Sequence, residues 1–463
     1  MMKRFLLILL GFSVLLVSCG APVQDKGDAY QIVEKLIAHF ELADGVLYSD
    51  REDADYFLSD SMLDRMFSEG YGLPEFEYVV SYAAYFSRRF SEGEIVVLKL
   101  CDKSHREELM KLCRRRAEKK ENAVVYADGV YVSDSPLGPF VYQKHNPMCY
   151  KPGGYVQGAG HGGTFRDVKG NYWHVATCML SLKYKFERRI GLYPVAFDKD
   201  GTMYSSTAFG DYPNWAEPMD IKNPEDRFTG WMLLSYGKPV EVSSTDSIHV
   251  ASNLTDESMR TYWAARSGNP GEWARIDLGS TKNIRAVQLN FYDHKAVQYN
   301  RAMDIYHQYR IFASEDGKEW TLVIDKSDSD KDCPHDYIEL NEPLHARYLK
   351  YENVHMPTGN VALSGFRVFG NGDGDVPQTI KGLTVKRDKK DRRNALISWQ
   401  PEASAYGYNI YYGTAEGKMY NAITVLGQTE YDFRGLDADT DYYFTVEALN
   451  ENGRSPLCKT TKN

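Results

Sequence analysis

The stretch EWARIDLG, residues 272–279, decides the fold of the C-terminal half of the chain. It predicts a β-strand that begins near Trp273 and ends at the turn DLG, residues 277–279. A second tryptophan, Trp263, lies shortly upstream. We expect both indole rings in a buried core, because aromatic side chains contribute most when their large apolar area is removed from water.

Further short motifs surround this strand in a fixed order. They are ASNLTD at 251–256, TYW at 261–263, SEDGKEW at 314–320, ARYLKY at 346–351 and VFG at 368–370. Within them Asp316-Gly317 predicts a hairpin turn. The series resembles the discoidin domain, also called coagulation-factor 5/8 type C, and its carbohydrate-binding relatives of family 32. The resemblance implies an eight-stranded jelly-roll β-sandwich over residues 240–370.

An insertion between two of these motifs is rich in aromatic and charged side chains. It contains Tyr292, His294, Tyr299 and Arg301. Aromatic rings can stack on a sugar face, and the polar groups can bond its hydroxyls, so we take these four residues as candidate glycan contacts. The alternative is that the loop packs on the preceding part of the chain.

The same resemblance implies a structural Ca²⁺. In relatives the ion is held by the loop at the start of the domain and by a late glutamate. Here the loop offers Asn253 and Asp256, whereas the late position reads SGF, residues 364–366. Asn253 and Asp256 are therefore the candidate metal ligands, and the ion would depend on backbone carbonyls for the rest.

The C-terminal segment, residues 378–463, follows a polar linker that we expect to be flexible. Its motifs are ISW at 397–399 and LDADTDY at 436–442. They resemble a fibronectin type III domain, an immunoglobulin-like β-sandwich that acts as a spacer or an interaction module. The resemblance implies that Trp399 is buried and that the Tyr442 hydroxyl bonds back to the main chain.

Residues 121–235 contain VYADGVYVSDSPLGPF at 125–140, GAGHGGTF at 158–165 and DVKGNYW at 167–173. These motifs resemble part of the five-bladed propeller of family 43 glycoside hydrolases, and they imply that His161 faces the propeller channel. The segment is long enough for about two blades only. The three carboxylates that the family needs have no matching positions, so the catalytic residues are unknown.

The N-terminus has the pattern of a secretory signal. Lys3 and Arg4 precede a short apolar run, and LVSCG at 16–20 resembles a bacterial lipobox. We expect residues 1–19 to be a lipoprotein signal and Cys19 to carry the lipid. Residues 20–120 read as a small α+β domain, which resembles Gram-positive lipoprotein domains of unknown function.

Composition narrows the classes of partner. The chain has 463 residues, a net charge of −9 and 13% aromatic residues, mostly tyrosine. The acidic balance disfavours nucleic acid as a partner. The expected architecture is mainly β and multidomain: an N-terminal α+β domain, a partial β-propeller, a jelly-roll sandwich and an immunoglobulin-like sandwich.

Two functions follow from these patterns. The first is a monomeric lipoprotein of the cell envelope, anchored to the membrane by lipid on its extracytoplasmic side. It binds a polysaccharide or glycan and carries an incomplete, inactive glycosidase-like domain. The second is an active glycoside hydrolase acting on arabinose- or xylose-containing polysaccharides. A third interpretation is a fusion or gene-prediction artefact that joins unrelated pieces near Glu121.

The first function predicts that the purified protein does not hydrolyse aryl arabinosides or xylosides, because no residue matches the general acid that protonates the leaving oxygen. Release of the aryl alcohol, followed by absorbance, measures this directly. Turnover that disappears on substitution of one carboxylate within residues 25–120 would contradict the prediction.

Overall fold

The structure is a computed structural model. It describes residues 8–10, 13–16, 28–39, 45–51, 56–59, 63, 67, 77–87, 94–101, 104–111, 113, 127–179, 189–217, 219, 221–296 and 305–463. The chain divides into two compact units, residues 1–124 and 125–463. The predicted lipidation site, Cys19, lies outside the described residues, as do Tyr299 and Arg301.

The first unit is a helix on a five-stranded sheet. Helix α1 runs from Ala29 to His39, as the sequence predicted to within one residue. It begins there because the Asp28 carboxylate accepts the backbone N–H of Gln31 at 2.9 Å, which satisfies a free helix donor. The strands are β1 (Ile8–Leu10), β2 (Ser13–Leu16), β3 (Gly45–Ser49), β4 (Val79–Ser87) and β5 (Glu94–Leu100), in the order β1-β2-β5-β4-β3.

Both faces of this sheet are buried, because side chains alternate along each strand. One face holds Tyr85 and Val97 against Val33 of α1. The opposite face holds Tyr82 and packs against Leu109. Leu109 belongs to a charged segment, residues 104–111. Residues 106–111 of that segment are helical in the structure.

The second unit begins with a middle segment, residues 127–231. It contains a four-stranded antiparallel meander in the order β10-β11-β12-β13 and two short strand pairs, β6 with β9 and β7 with β8. The strands are β6 (Ala127–Asp128), β7 (Tyr131–Val132), β8 (Val141–Tyr142), β9 (Cys149–Tyr150), β10 (Gln157–Arg166), β11 (Tyr172–Met179), β12 (Arg189–Phe197) and β13 (Met203–Ser205). A short 3₁₀ helix follows at Pro224–Arg227.

The jelly roll follows, and its eight strands are hydrogen-bonded around one large core. Two long strands, β17 and β20, pair along most of their length and bend at register shifts. A 3₁₀ helix at Ala251–Leu254 lies in the loop after β15. The strands are β14 (Met232–Leu233), β15 (Val240–Val242), β16 (Trp263–Ala264), β17 (Trp273–Phe291), β18 (Gln308–Ser314), β19 (Thr321–Asp325), β20 (His335–His355) and β21 (Ala362–Asn371).

The two tryptophans of the jelly roll, Trp263 and Trp273, differ in how deeply they are buried. Trp263 is completely buried, as predicted, and its indole N–H donates to the Ser244 carbonyl at 3.0 Å. Trp273 is only half-buried, so the prediction of a core position was wrong for it. It starts strand β17 at the sheet margin, where its backbone pairs with Glu352. The DLG turn does not end the strand either, because β17 continues through a register shift after Asp277.

The C-terminal sandwich packs a three-stranded sheet, β22-β23-β26, against a five-stranded sheet built on β25-β24-β27. Trp399 and Tyr442 are both buried between them, and the Tyr442 hydroxyl accepts the backbone N–H of Asp437 at 3.2 Å, as predicted. The strands are β22 (Thr384–Arg387), β23 (Ala395–Ser398), β24 (Gly407–Gly413), β25 (Asn421–Leu426), β26 (Glu430–Phe433), β27 (Tyr443–Asn450), β28 (Gly453–Arg454) and β29 (Thr461–Lys462).

The expected flexible linker is held in place. Its residue Gly372 donates its N–H to the Glu451 carbonyl at 2.8 Å, and the side chains of Asn450 and Asn452 each donate to the Asp375 carbonyl at 2.9 Å. The sequence suggested flexibility because Gly and Asp dominate the linker, but its backbone groups find partners on the β27–β28 turn.

A buried charge network joins the middle segment to the jelly roll. Arg367 on β21 pairs with Glu257 at 2.5 Å, donates to the Asp211 carbonyl at 2.8 Å and lies over the Tyr155 ring. Asp211 in turn pairs with Lys151 at 3.0 Å. All four charged side chains are at most 6% exposed. The charges of two carboxylates and two cations therefore neutralise one another in the interior.

The environment affects the two acids differently. Burial raises the pKa of Glu257, although Arg367 opposes the shift. Burial also acts to raise the pKa of Asp211, but the charges of Lys151 and Arg367 outweigh it and lower that pKa. Both carboxylates thus depend on their cations to remain ionised in the interior.

Around this network an apolar cluster spans all three parts of the second unit. It joins Phe209 of the middle segment, Phe369 of the jelly roll and Leu449 of the C-terminal sandwich. The three parts therefore share a core and form one body, since burial of this kind is lost if any of them separates.

Replacing Arg367 tests how much the buried charge network contributes to the stability of the second unit. Arg367→Met should lower the free energy of unfolding of the second unit by about 3–5 kcal/mol, because Glu257 is left buried without a cation. Arg347→Met is the matched control, since Arg347 pairs with Asp277 at 2.8 Å on the surface and should cost under about 1 kcal/mol. Urea unfolding measures both. Equal losses for the two variants would contradict the assignment.

Candidate functional site

A stack of three rings lies on the loops of the jelly roll. Tyr262 is in the middle, with its ring centroid 4.0 Å from that of His249 and 4.0 Å from that of Tyr292. The planes are tilted by only 18° and 14°. All three side chains are half-buried. The stack therefore presents the edges of its rings, and part of its two end rings, to solvent.

Hydrogen bonds fix the rings in place. The Tyr262 hydroxyl lies 3.0 Å from His249 Nε2 and 3.1 Å from His294 Nδ1, and His294 Nε2 lies 2.7 Å from Asp246. Every contact is satisfied if His249 donates to Tyr262, Tyr262 donates to His294 and His294 donates to Asp246. The chain of bonds thus assigns one tautomer to each imidazole.

Asp246 anchors the polar end of the cluster. Its carboxylate contacts both His294 Nε2 and Lys295 Nζ at 2.7 Å. The hydrogen bond from Lys295, and then that from His294, lower the pKa of Asp246 to about 2. Asp246 is therefore ionised across the physiological range, and it offsets the charge of the exposed Lys295.

The loop that carries Tyr292 and His294 is attached to its own domain. The Tyr292 N–H donates to the Ala362 carbonyl at 2.9 Å, and the His294 carbonyl accepts the N–H of Asn360 at 3.0 Å. Of the two interpretations of this loop, these contacts favour a site of the jelly roll over a loop that packs on the preceding part of the chain. Tyr299 and Arg301 lie outside the described residues.

Three members of the cluster were not singled out from the sequence. Asp246, His249 and Tyr262 come from segments before the predicted loop and meet it only through the fold. Tyr262 did stand within a quoted motif, TYW. Its position next to the core tryptophan is the signal that could have indicated a surface ring. Neighbouring side chains of a strand point to opposite faces, so a tyrosine beside a buried tryptophan is expected at the surface.

The proposed calcium ligands do not form a complete site. Asp256 accepts hydrogen bonds from Ser258 N at 2.9 Å and Thr261 Oγ1 at 2.5 Å, and the Asn253 amide donates to the Tyr262 carbonyl at 2.9 Å. The described residues contain no group of three His, Cys, Asp or Glu side chains that could hold a metal ion.

The late position that supplies a glutamate in relatives is used for packing here. The Ser364 hydroxyl bonds the Tyr155 hydroxyl at 3.1 Å, and a Cβ on Gly365 would lie 2.9 Å from that same oxygen. Ca²⁺ takes six to eight oxygen ligands, so the residues present do not fit the ion and no role is assigned to it.

In the middle segment, His161 is exposed and its backbone lies in the left-handed region, at φ 58°. Asp128 holds this conformation by accepting the N–H groups of His161 and Gly162 at 3.1 and 2.8 Å. Asp128 also pairs with His174 at 2.8 Å, and His174 contacts Thr164 at 3.0 Å. Asp128 therefore fixes the irregular part of β10 around His161, where the pairing with β11 shifts register.

Family models cover two parts of the chain. Residues 239–365 match the F5/8 type C domain, and residues 375–462 match the fibronectin type III domain. The chain carries a discoidin domain and a fibronectin type III domain. The ring stack therefore belongs to the discoidin domain.

Curated relatives match part of the chain. Rat lactadherin is 23% identical over 177 residues, which cover 35% of this chain and 38% of lactadherin. Fibronectin type III domain-containing protein 2 of Margaritifera margaritifera is 30% identical over 90 residues, 19% of this chain and 14% of that protein. Rat neogenin is 31% identical over 90 residues, 18% of this chain and 6% of neogenin. The chain thus spans well under half the length of these relatives.

Among solved structures, chitosan-binding module 1 of a Paenibacillus sp. IK-5 chitosanase/glucanase is 26% identical, with 30% of this chain and 98% of that chain covered and a TM-score of 0.25. The family 32 module of NanJ from C. perfringens, in complex with galactose, is 14% identical, with coverages of 30% and 98% and a TM-score of 0.26. Scores this low carry no argument about a ligand.

Substitution of Asp256 distinguishes two roles for this residue, a calcium ligand and a buried carboxylate that binds no metal. Burial raises its pKa to about 6. The folded state therefore binds the proton more tightly than the unfolded state, and the free energy of unfolding falls as pH rises from about 4 to about 6. Asp256→Asn should remove this dependence on pH and raise the free energy of unfolding by about 1 kcal/mol above pH 6.

Urea unfolding of the full chain between pH 4 and 8, with and without Ca²⁺, measures the effect. Asp316→Asn is the control, because hydrogen bonds from the amides of Lys318 and Glu319 lower the pKa of Asp316, so this variant should give no gain. A loss of stability for Asp256→Asn that appears only with Ca²⁺ would show that Asp256 is a metal ligand.

Proposed function

We propose that this protein is a glycan-binding protein of the cell envelope, and that a neutral saccharide binds at the ring stack of the discoidin domain. The stack of His249, Tyr262 and Tyr292 is the observation that carries the proposal. A sugar presents a face of C–H groups that packs on an aromatic ring and a rim of hydroxyls that needs donors and acceptors nearby. The cluster offers both within one loop region.

The ring positions suggest how the sugar is held. Tyr292, at one end of the stack, is half-exposed and supplies the platform, and Lys295 can donate to hydroxyls. Asp246 can accept a hydroxyl hydrogen beside its bonds to His294 and Lys295. Preorganised rings lower the entropy lost on binding, which favours a rigid site over a loop that must first order.

The charge of the cluster favours a neutral ligand. Asp246 and Lys295 neutralise each other, so an acidic sugar gains little from the lysine and would lie beside a carboxylate that stays ionised. A single platform with a few hydrogen bonds supports a net binding free energy of roughly 4–6 kcal/mol, which corresponds to a dissociation constant near the millimolar range.

We also propose that the chain is exported and tethered through Cys19, which rests on the lipobox pattern at 16–20. No helix among the described residues is long and apolar enough to cross a bilayer. We further propose that the middle segment derives from a family 43 glycosidase propeller and is inactive. The motifs around His161 and the single four-stranded meander support this origin.

Substitution of the platform tests the glycan proposal. Tyr292→Ala should weaken binding of galactose by about fivefold or more, equivalent to about 1 kcal/mol, whereas Tyr292→Phe keeps the ring and should bind normally. Tyr337→Ala is the control, because Tyr337 is an exposed tyrosine on β20 and should have no effect. Calorimetric titration gives the constants. A glycan array without signal, for a protein that unfolds cooperatively, would contradict the proposal.

Substitution of Cys19 tests the anchor. Cys19→Ala should release the protein from the membrane fraction, because a thioether-linked lipid is a stable anchor and no spanning helix replaces it in the described part of the chain. Cys101→Ala removes an exposed cysteine outside this motif and serves as the control. Fractionation after a high-salt wash measures the outcome, and a Cys19→Ala protein that stays with the membrane would exclude the lipid anchor.

A further inference from the structure

A groove opens where the discoidin and fibronectin type III domains meet. Its volume is about 500 Å³, which is within the range of small-molecule sites. Its walls come from the start of the discoidin domain around Tyr236, the linker around Asp375, and the fibronectin type III domain around Tyr406 and Asn450. Domain interfaces are preferred places for ligand sites, because two surfaces can supply complementary groups.

The walls of the groove are fixed by contacts between the domains. Glu451 of the fibronectin type III domain pairs with Lys238 at 3.2 Å and also with Lys282, both in the discoidin domain. The linker is bonded to the same turn through the Asp375 carbonyl. A cavity with rigid walls keeps its shape when empty, which reduces the entropy that a ligand must overcome.

The lining combines aromatic and polar groups. Tyr236 and Tyr406 lie one from each domain, with ring centroids 5.7 Å apart, and both are half-buried. Asp375 and Glu402 form no ion pair within the described ranges, although Glu402 accepts the N–H and the hydroxyl of Ser404 at 2.8 Å, and Gln378 is exposed beside them. The lining therefore holds two tyrosines, three carboxylates, an amide and the Lys238 ammonium, which Glu451 already pairs.

These groups select a class of ligand. Carboxylates accept hydrogens from neighbouring hydroxyls, an amide both donates and accepts, and tyrosine rings pack against C–H groups. An acidic ligand would meet Asp375, Glu402 and Glu451, whereas Lys238 is already paired with Glu451 and does not oppose an amino sugar. We propose that this groove is a second saccharide site, specific for a short sugar without an acidic group and independent of the ring stack.

Hydrogen–deuterium exchange on the full-length protein tests the proposal, with galactose, galacturonic acid and galactosamine as probes of equal size and different charge. Galactose and galactosamine should slow exchange in peptides covering 233–238 and 402–406, and galacturonic acid should not, because the lining carries more carboxylates than cations. Tyr292→Ala should leave this protection unchanged. Peptides covering 246–262 report on the ring stack separately, so failure of either site is recognised without the other.

A pair of variants provides the matched control. Asp375→Ala should weaken galactose protection of the groove at least threefold, because it removes an acceptor while the backbone carbonyl that holds the linker remains. Asp373→Ala removes an exposed linker carboxylate that is not part of the lining and should have no effect. The proposal is overturned if saturating galactose leaves the groove peptides unprotected, if both variants behave alike, or if galacturonic acid protects as strongly as galactose.

Discussion

The guanidinium of Arg367 is the group on which the arrangement of the second unit depends. It comes from the last long strand of the discoidin domain and reaches Glu257, the Asp211 carbonyl and the Tyr155 ring at once. A planar group with five donors can meet such a set, whereas a lysine could not. Each ion pair lies within one part, Lys151–Asp211 in the middle segment and Glu257–Arg367 in the discoidin domain. Separating the parts would therefore keep both pairs but break the bond from Arg367 to the Asp211 carbonyl and its packing on Tyr155, which favours the assembled form.

This constraint changes how the two C-terminal domains are understood. A fibronectin type III domain is often a spacer between independent modules, and the Gly- and Asp-rich linker favoured that reading. Here the linker is bonded at Gly372 and Asp375, and Leu449 lies in a core shared with Phe209 and Phe369. The sandwich therefore acts as a wall of a larger body, with a groove at its edge.

Residues whose place is fixed by a local domain pattern could be predicted from the sequence, and residues whose place depends on distant parts of the fold could not. Trp399, Tyr442 and Trp263 were placed correctly, because each is fixed by its own domain pattern. Trp273 was not, since its exposure depends on where strand β17 joins the sheet margin.

The residues of the candidate site could likewise be predicted only where they lie close together in the sequence. Tyr292 and His294 were found because they cluster in sequence. Asp246, His249 and Tyr262 were missed because only the folded domain brings them to the loop.

The short strand β14 has a practical consequence for work with fragments. Met232 and Leu233 pair with Gly370 and Phe369, and Leu234 lies in the discoidin core, although all three precede the stretch that the family model matches. A fragment cut at residue 240 would lack this edge strand, so that the end of β21 would pair with β17 alone and become an exposed edge, which invites self-association. Expression of the discoidin domain on its own would therefore need to begin before Trp231, and even then it would expose the apolar surface that its neighbours normally cover.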